Sequence, residues 1–292
     1  MYNIMKKIGI LVDSFCGLSE DQVKNEYFEF LPLQFSIDGK NYIDNGKEIS
    51  KKDLAILIAK SEKAFTSLPS LNTIEETLER MDKKFEKVFV FLTSSALSST
   101  FQTVSVAAKK YKDKFIMIDN HFFANQVIEI GNFLIKKAKQ GVGIERLIEL
   151  AKEINEKSIN FLIVKDLTNL IKGGRIKGIK KLVLNTFGLV LILKVTQYGI
   201  TFSGIKKTIK GSMKKVSEKL IDFIGGIENL KNYEFKFMNA ANEEMIVTAK
   251  NIVSKFGKDI DEKTQASATV MIHTGVECSS LGIWPKLSEL KI

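Results

Sequence analysis

Short apolar runs alternate with segments of helical period along the first half of the chain, and this alternation constrains the fold more than any other feature. Ile8 to Val12, Val88 to Thr93, Phe115 to Ile118 and Asn160 to Val164 are rich in Val, Ile and Phe, as strands buried on both faces are. Between them, Ser50 with Asp53 and Asn72 with Glu75 have the spacing of capping boxes. Residues 98–111, 125–140 and 144–156 carry apolar side chains at helical intervals. Strand and helix in alternation predict a parallel sheet with helices on its faces. Phe28 to Ile37 and Lys40 to Ile43, joined by the Asp38-Gly39 turn, predict a hairpin that pairs outside that sheet.

After about residue 164 the texture changes. A polar, glycine-bearing stretch (Lys172-Gly173-Gly174-Arg175) leads to strands expected at 189–196 and 199–205, joined by a turn at Gln197-Tyr198-Gly199. Helices are expected near 210–224 and 243–256, and further strands at 234–238 and 268–272. The lobe boundary is placed near residue 160, giving lobes of residues 1–160 and 161–292. Two such lobes side by side leave a cleft, a usual place for a ligand.

The chain is long enough, at 292 residues, to bury a substantial core. It has no run of 18 apolar residues, as a membrane span needs, and no signal-peptide pattern within Met1 to Lys7. Cys16 and Cys278 show neither CxxC nor zinc-ligand spacing and suit a reducing interior, so a cytoplasmic location is expected. The net charge of +10 is concentrated: residues 165–219 hold thirteen Lys or Arg against Asp166 and Glu218 alone. Such a stretch is either a solvated face or a docking surface for an anionic partner. Nucleic acid is the weaker partner, because base readout leans on arginine and the chain has only Arg80, Arg146 and Arg175.

Walker, GxGxxG, GxSxG and HExxH motifs are all missing, and the only histidines are His121 and His273. A multi-histidine metal site is thereby excluded, and no metal or cofactor is expected. What remains is a set of hydroxyl-rich stretches beside strand ends: Asp13-Ser14, Thr66-Ser67-Leu68-Pro69-Ser70, and Thr93 through Thr100. Ligands of α/β folds bind at the C-terminal ends of parallel strands. Backbone N–H groups and hydroxyls there suit a carboxylate or a phosphate.

These stretches, in this order, resemble the DegV family, which includes the fatty-acid-binding subunits of bacterial fatty acid kinase. The likeness is carried by Val12-Asp13-Ser14, Leu31-Pro32-Leu33 with Asp44, Thr66-Ser67 with Pro69-Ser70, and Ser94-Ser95 with Leu97-Ser98 and Thr100-Phe101-Gln102. It continues through Asp119, Asp166-Leu167 with Leu170, Gly173-Gly174-Arg175-Ile176, and His273-Thr274-Gly275. The resemblance implies an α/β fold of two lobes. The N-terminal one would be a three-layer α/β/α lobe with a parallel sheet, and the C-terminal one a two-layer lobe with a mixed sheet. It also implies a long-chain fatty acid, of the palmitate class, in a buried tunnel, and a non-catalytic protein that presents the acid's carboxylate to a partner kinase.

By the same resemblance, Thr66 and Ser98 hold the carboxylate, with Ser95 the competitor for the second role. Arg175 and His273 lie near the head group and serve docking to the kinase, with Lys207 where a second arginine is expected. The chain departs from the family pattern at Ser99, which stands where glycine is usual, and at Val190-Leu191 in place of a lysine-proline pair. It departs again at Asn120-His121-Phe122-Phe123, which replaces a small, glycine-bearing stretch. Phe122 and Phe123 either narrow the tunnel or repack. Two other readings stay open on the residues alone. One is a serine hydrolase for acyl esters, using Ser98 or Ser95 with His273 and an Asp. The other is a regulatory module that binds nucleic acid or another anionic partner through residues 165–219.

Overall fold

The computed structural model describes residues 8–172, 174–175 and 188–290. Gly173, Ile176, Phe187 and the lysines Lys177, Lys180 and Lys181 of the basic stretch lie outside the described residues. The first sheet is wholly parallel. It comprises β1 (Ile8–Asp13), β2 (Phe28–Leu31), β6 (Lys87–Phe91) and β7 (Phe115–Met117), in the order β2-β1-β6-β7. Ile8, Ile10 and Val12 of β1 join Phe28, Phe30, Phe89 and Phe91 beneath α5 (Gln126–Lys139) and α6 (Ile144–Glu156). Leu11 and Leu31, with Val88 and Val90, face the other way, onto α3 (Leu71–Lys84) and α4 (Thr100–Ala108). Alternate side chains thus enter two apolar layers, and the strands read as unbroken apolar runs for that reason.

A small antiparallel sheet stands beside it, in the order β4 (Lys40–Ile43), β3 (Gln34–Ile37), β5 (Ala64–Ser67). Its hairpin turns at Asp38 and Gly39, both at positive φ (48° and 84°), the pairing that suits the right-handed twist of two strands. The hairpin's first strand is shorter than expected: Phe28 to Leu31 belongs to the parallel sheet, and only Gln34 onward pairs with β4. Helix α1 (Glu20–Val23) precedes this sheet, and α2 (Lys51–Lys60) begins at Ser50, whose Oγ accepts from Asp53 N at 3.1 Å. The α3 cap differs from expectation. Ser70 Oγ accepts from Thr73 N at 3.0 Å, while Asn72 lies within the helix and bonds Glu76 at 2.8 Å.

The second large sheet has the order β10 (Gly199–Lys206), β9 (Val190–Thr196), β8 (Ile159–Val164), β12 (Cys278–Pro285), β11 (Tyr233–Asn239), and every ladder in it is antiparallel. The expected mixed sheet therefore narrows to an antiparallel one, with a single isolated parallel bridge between Asn239 and Gln265. Asn160 to Val164, grouped by its texture with the parallel strands, is the middle strand here. A strand buried on both faces carries the same apolar run in either kind of sheet. Phe161 and Ile163 pack under α8 (Ile209–Phe223) and α9 (Glu243–Val253). Leu162 and Val164 point to the opposite face, where they meet Phe35, Leu54, Phe123 and Met271.

That opposite face also receives α7 (Thr168–Lys172) and α10 (Ala268–Thr274). Residues 268–272 were expected as a strand and form this helix instead. Ser267 Oγ caps it by accepting from Val270 N at 3.3 Å. The run Ala-Thr-Val-Met-Ile is too short for periodicity to separate helix from strand. Strand β12, which the sequence did not announce, takes the sheet position beside β8. Gly282 in it has no room for a side chain: an added Cβ would meet the Asn160 amide and come 2.7 Å from the Ile159 carbonyl oxygen. Gly282→Ala is therefore expected to destabilise the protein by about 1–3 kcal/mol or more, as overpacking does. A lowered denaturation midpoint at unchanged m would show it; an unchanged midpoint would mean β8 and β12 can part freely.

Candidate functional site

The C-terminal ends of β1 and β6 meet the small sheet and α10 around one cavity of about 160 Å3. Two buried carboxylates fix its edges. Asp13, at the end of β1, accepts from Thr93 N at 2.7 Å, Thr93 Oγ1 at 2.8 Å and Phe15 N at 3.1 Å. Asp44, after β4, accepts from Thr269 N at 3.2 Å and from the Thr269 hydroxyl. Thr93 and Thr269 both line the cavity, yet each has already given its one hydroxyl proton to a carboxylate. They can accept from a ligand but cannot donate to an anion.

The donors lie elsewhere on the wall. Thr66, on β5, and His273, in the last turn of α10, both line the cavity and share a 2.7 Å hydrogen bond between Oγ1 and Nε2. Thr269 and His273 are one turn apart, so the helix presents both to the same side. Ser98 also lines the cavity. Its Oγ sits 2.8 Å from Thr100 Oγ1 and accepts from Thr100 N at 3.2 Å. Ser95 does not line it: its hydroxyl is held by Asp119 Oδ2, and its N–H donates to Asp119 Oδ1 at 3.0 Å. Asp119 thereby braces the loop that carries Ser98.

Arg175 completes the polar end, lining the cavity while its Nε donates to Leu97 O at 3.3 Å. A histidine at a helix C-terminus gains about 0.3–1 kcal/mol for its charged form. Burial and the neighbouring Arg175 outweigh that gain and bring His273 from 6.5 down to about 4, so it is neutral at pH 7. Beyond this end lies a surface groove lined by Asp166, Asn169 and Glu277, which shares Thr66, Arg175, His273 and Thr274 with the cavity. The other wall is apolar: Phe15, Leu33, Phe123, Leu162, Leu170 and Val270.

Neither serine is paired with the histidine: Ser95 goes to Asp119, Ser98 to Thr100, and His273 to Thr66. The hydrolase arrangement is thus not assembled. Lys207 is not brought to the cavity either. It is exposed just past the end of β10, whereas Ile200, near the start of that strand, is on the cavity wall. Along a strand that separation is ~20 Å. The lysines of α8 lie on the layer that covers the sheet's far face. Of the basic stretch's cations whose side chains are described, Arg175 alone lines the cavity. Thr269 was missed because its helix was expected as a strand, and the roles of Asp13 and Asp44 rest on contacts between distant segments.

A family model described as "Uncharacterised protein, DegV family" matches residues 7–286. The chain belongs to the DegV family. A DegV domain-containing protein of Mycoplasmopsis pulmonis is 26% identical over 280 residues, covering 95% of this chain and 94% of its own. Among solved structures, a fatty-acid-binding DegV family protein of Streptococcus agalactiae superposes with a TM-score of 0.85 at 19% identity, covering 96% of this chain and 99% of that one. A DegV family protein of Thermus thermophilus, described by its fatty acid binding, gives 0.84 at 18% identity, with 96% and 100% covered. One from Eubacterium eligens, loaded with heptadecanoic acid, gives 0.79 at 19%, with 96% and 100% covered. At these identities the structures establish a shared DegV fold.

The buried carboxylates give the site a pH signature. Burial raises Asp13 from 3.8 to about 6, against the opposing hydrogen bonds of Thr93 and Phe15. Between those values the folded state holds more protons than the unfolded one, so stability falls as pH rises from about 4 to about 6. The contribution is at most about 3 kcal/mol. The difference in unfolding free energy between wild type and Asp13→Asn, measured across that window, should shrink as pH rises. A difference independent of pH would show that Asp13 titrates normally.

Proposed function

We propose that this DegV protein binds a long-chain fatty acid, with its carboxylate at Thr66 and Ser98 and its tail along the Phe15–Phe123 wall. It performs no chemistry itself and presents the head group to a partner kinase. The carrying observation is one cavity that joins hydroxyls, a neutral histidine and an arginine to an apolar wall. The fatty acids of its fold relatives support the same reading. Arg175 favours the neutral form of His273, and the same positive field favours an anion beside it. For Thr66 to donate to that anion, His273 must carry its hydrogen on Nε2 and donate to Thr66 Oγ1; the other tautomer would consume the threonine's proton.

Magnitudes divide the work between tail and head. Burying about fifteen methylenes at about 0.8 kcal/mol each gives an upper bound near 12 kcal/mol before association costs. Each hydrogen bond to the carboxylate adds about 1.5–3 kcal/mol. The tail supplies the affinity and the hydroxyls decide which end faces the groove. Such a carrier shields an insoluble acid and exposes only its reactive group. The groove that shares Thr66, Arg175 and His273 with the cavity is where a kinase would reach it.

Two measurements test the two halves of this proposal. In a displacement titration, Thr66→Ala with Ser98→Ala should weaken palmitate about 100-fold or more, from two lost charge-assisted bonds, and weaken the alcohol of equal chain length far less. Equal losses would mean these residues shape the cavity only. Arg175→Ala should keep acid affinity within about threefold, because the tail supplies most of it, while abolishing phosphorylation of the bound acid in a reconstituted kinase assay. An Arg175 variant that no longer retains the acid would reverse that division of labour.

A further inference from the structure

We infer that Phe123, packed on Phe15, closes the inner end of the cavity and sets the longest acyl chain this protein accepts. The inference rests on the fatty-acid reading above and adds to it a limit on the substrate. Phe15 and Phe123 both line the cavity, with ring centroids 5.2 Å apart and planes tilted by 55°. Neither lines the surface groove, which shares only the polar residues Thr66, Arg175, His273 and Thr274 with the cavity. A second surface groove shares Leu97, Ser98, Ser99, Arg175 and Ile200 with the cavity and also lacks both rings, so both openings adjoin the Arg175 end and a carboxylate there sends its tail toward the two rings.

The two phenylalanines of the Phe122-Phe123 pair have different fates. Phe122 repacks into the core under α5 and α6, 6.4 Å from the Phe91 ring and edge-on to Trp284 at 6.2 Å. Phe123 turns into the other core, beside Leu162. Between them and the following helix, Ala124 adopts a positive φ of 48°, a conformation that costs a residue with a Cβ and persists only where its surroundings enforce it.

Those surroundings are specific. Asn120 Nδ2 donates to Leu92 O and Ile118 O at 3.2 and 3.1 Å, and its Oδ1 accepts from Phe122 N at 3.1 Å. His121 N donates to Asn155 Oδ1 at 3.1 Å, and Asn160 Nδ2 donates to His121 O at 3.1 Å. Phe123 N itself donates to Gln126 Oε1 at 2.6 Å. A ring carried on a backbone held this way is a fixed floor and not a swinging gate. A chain that reaches it can add no further buried methylene.

The test is competitive displacement from the full chain by saturated straight acids of about ten to about twenty carbons, where each added buried methylene tightens binding about fourfold. Wild type should show that rise up to a cut-off and a fall beyond it. Phe123→Leu and Phe123→Ala should move the cut-off to longer acids, the alanine by about two carbons or more. Phe122→Leu, altered in the core but not on the wall, should leave it in place. If the alanine variant does not fold, Phe123→Leu and Phe15→Leu decide the matter. Cut-offs identical to wild type in the Phe123 and Phe15 variants, or a wild type with no cut-off, would overturn the inference while leaving fatty-acid binding intact. A wild type that binds no acid at any length would instead remove the fatty-acid reading, and this inference with it.

Discussion

The placement of His273 depends on a carboxylate 225 residues before its helix's first cavity-facing residue. Asp44 is buried and accepts both the backbone N–H and the hydroxyl of Thr269. A carboxylate removed from water is costly unless such bonds are made, and burial raises its pKa in spite of them. The contact is therefore hard to replace with another. It locks the first turn of α10 against the small sheet, and one turn later His273 arrives beside Thr66 of β5. Asp13 does the same for the β6 loop through Thr93. The two carboxylates position the cavity edges, and their threonines give up the protons that could have gone to a ligand.

That consumption of donors reduces the number of hydroxyls on the cavity edge that have a proton to give. Thr93 and Thr269 point their protons away, and Ser95 is occupied by Asp119. Thr66 and Ser98 are bonded to His273 and Thr100 in pairings whose proton direction is free to reverse, and the Ser67 and Ser99 side chains share the wall with them. Arg175 supplies the positive field and donates to Leu97 O on the Ser98 loop. Charge, hydroxyl and neutral imidazole thus share one pocket with an aliphatic and aromatic wall.

Departures from the family pattern fall into separate structural classes once the packing is known. Phe122 fills the parallel sheet's core, whereas Phe123 faces the cavity. Val190-Leu191 opens β9, with Val190 under α8 and Leu191 toward the opposite core. Lys207 lies past the far end of an edge strand. Only Phe123 among these, together with Ser99, touches the cavity wall.

Much of the architecture was legible in the residues. Strands β1, β6 and β7, the helices at 144–156 and 126–139 and the Asp38-Gly39 turn all follow from period, capping and turn chemistry, which are local. The ordered hydroxyl stretches point to Thr66 and Ser98, and both line the cavity. What the sequence could not decide was anything that depends on which distant segment arrives opposite. The helical state of 268–274 needed the Asp44 contact, and the antiparallel setting of Asn160 to Val164 needed β12 as a neighbour. The choice between Ser98 and Ser95 as the wall residue needed the position of Asp119. An apolar run records that it is buried on both faces but not the direction of its partner. A hydroxyl records that it can donate but not to whom, and only the assembled fold supplies both answers.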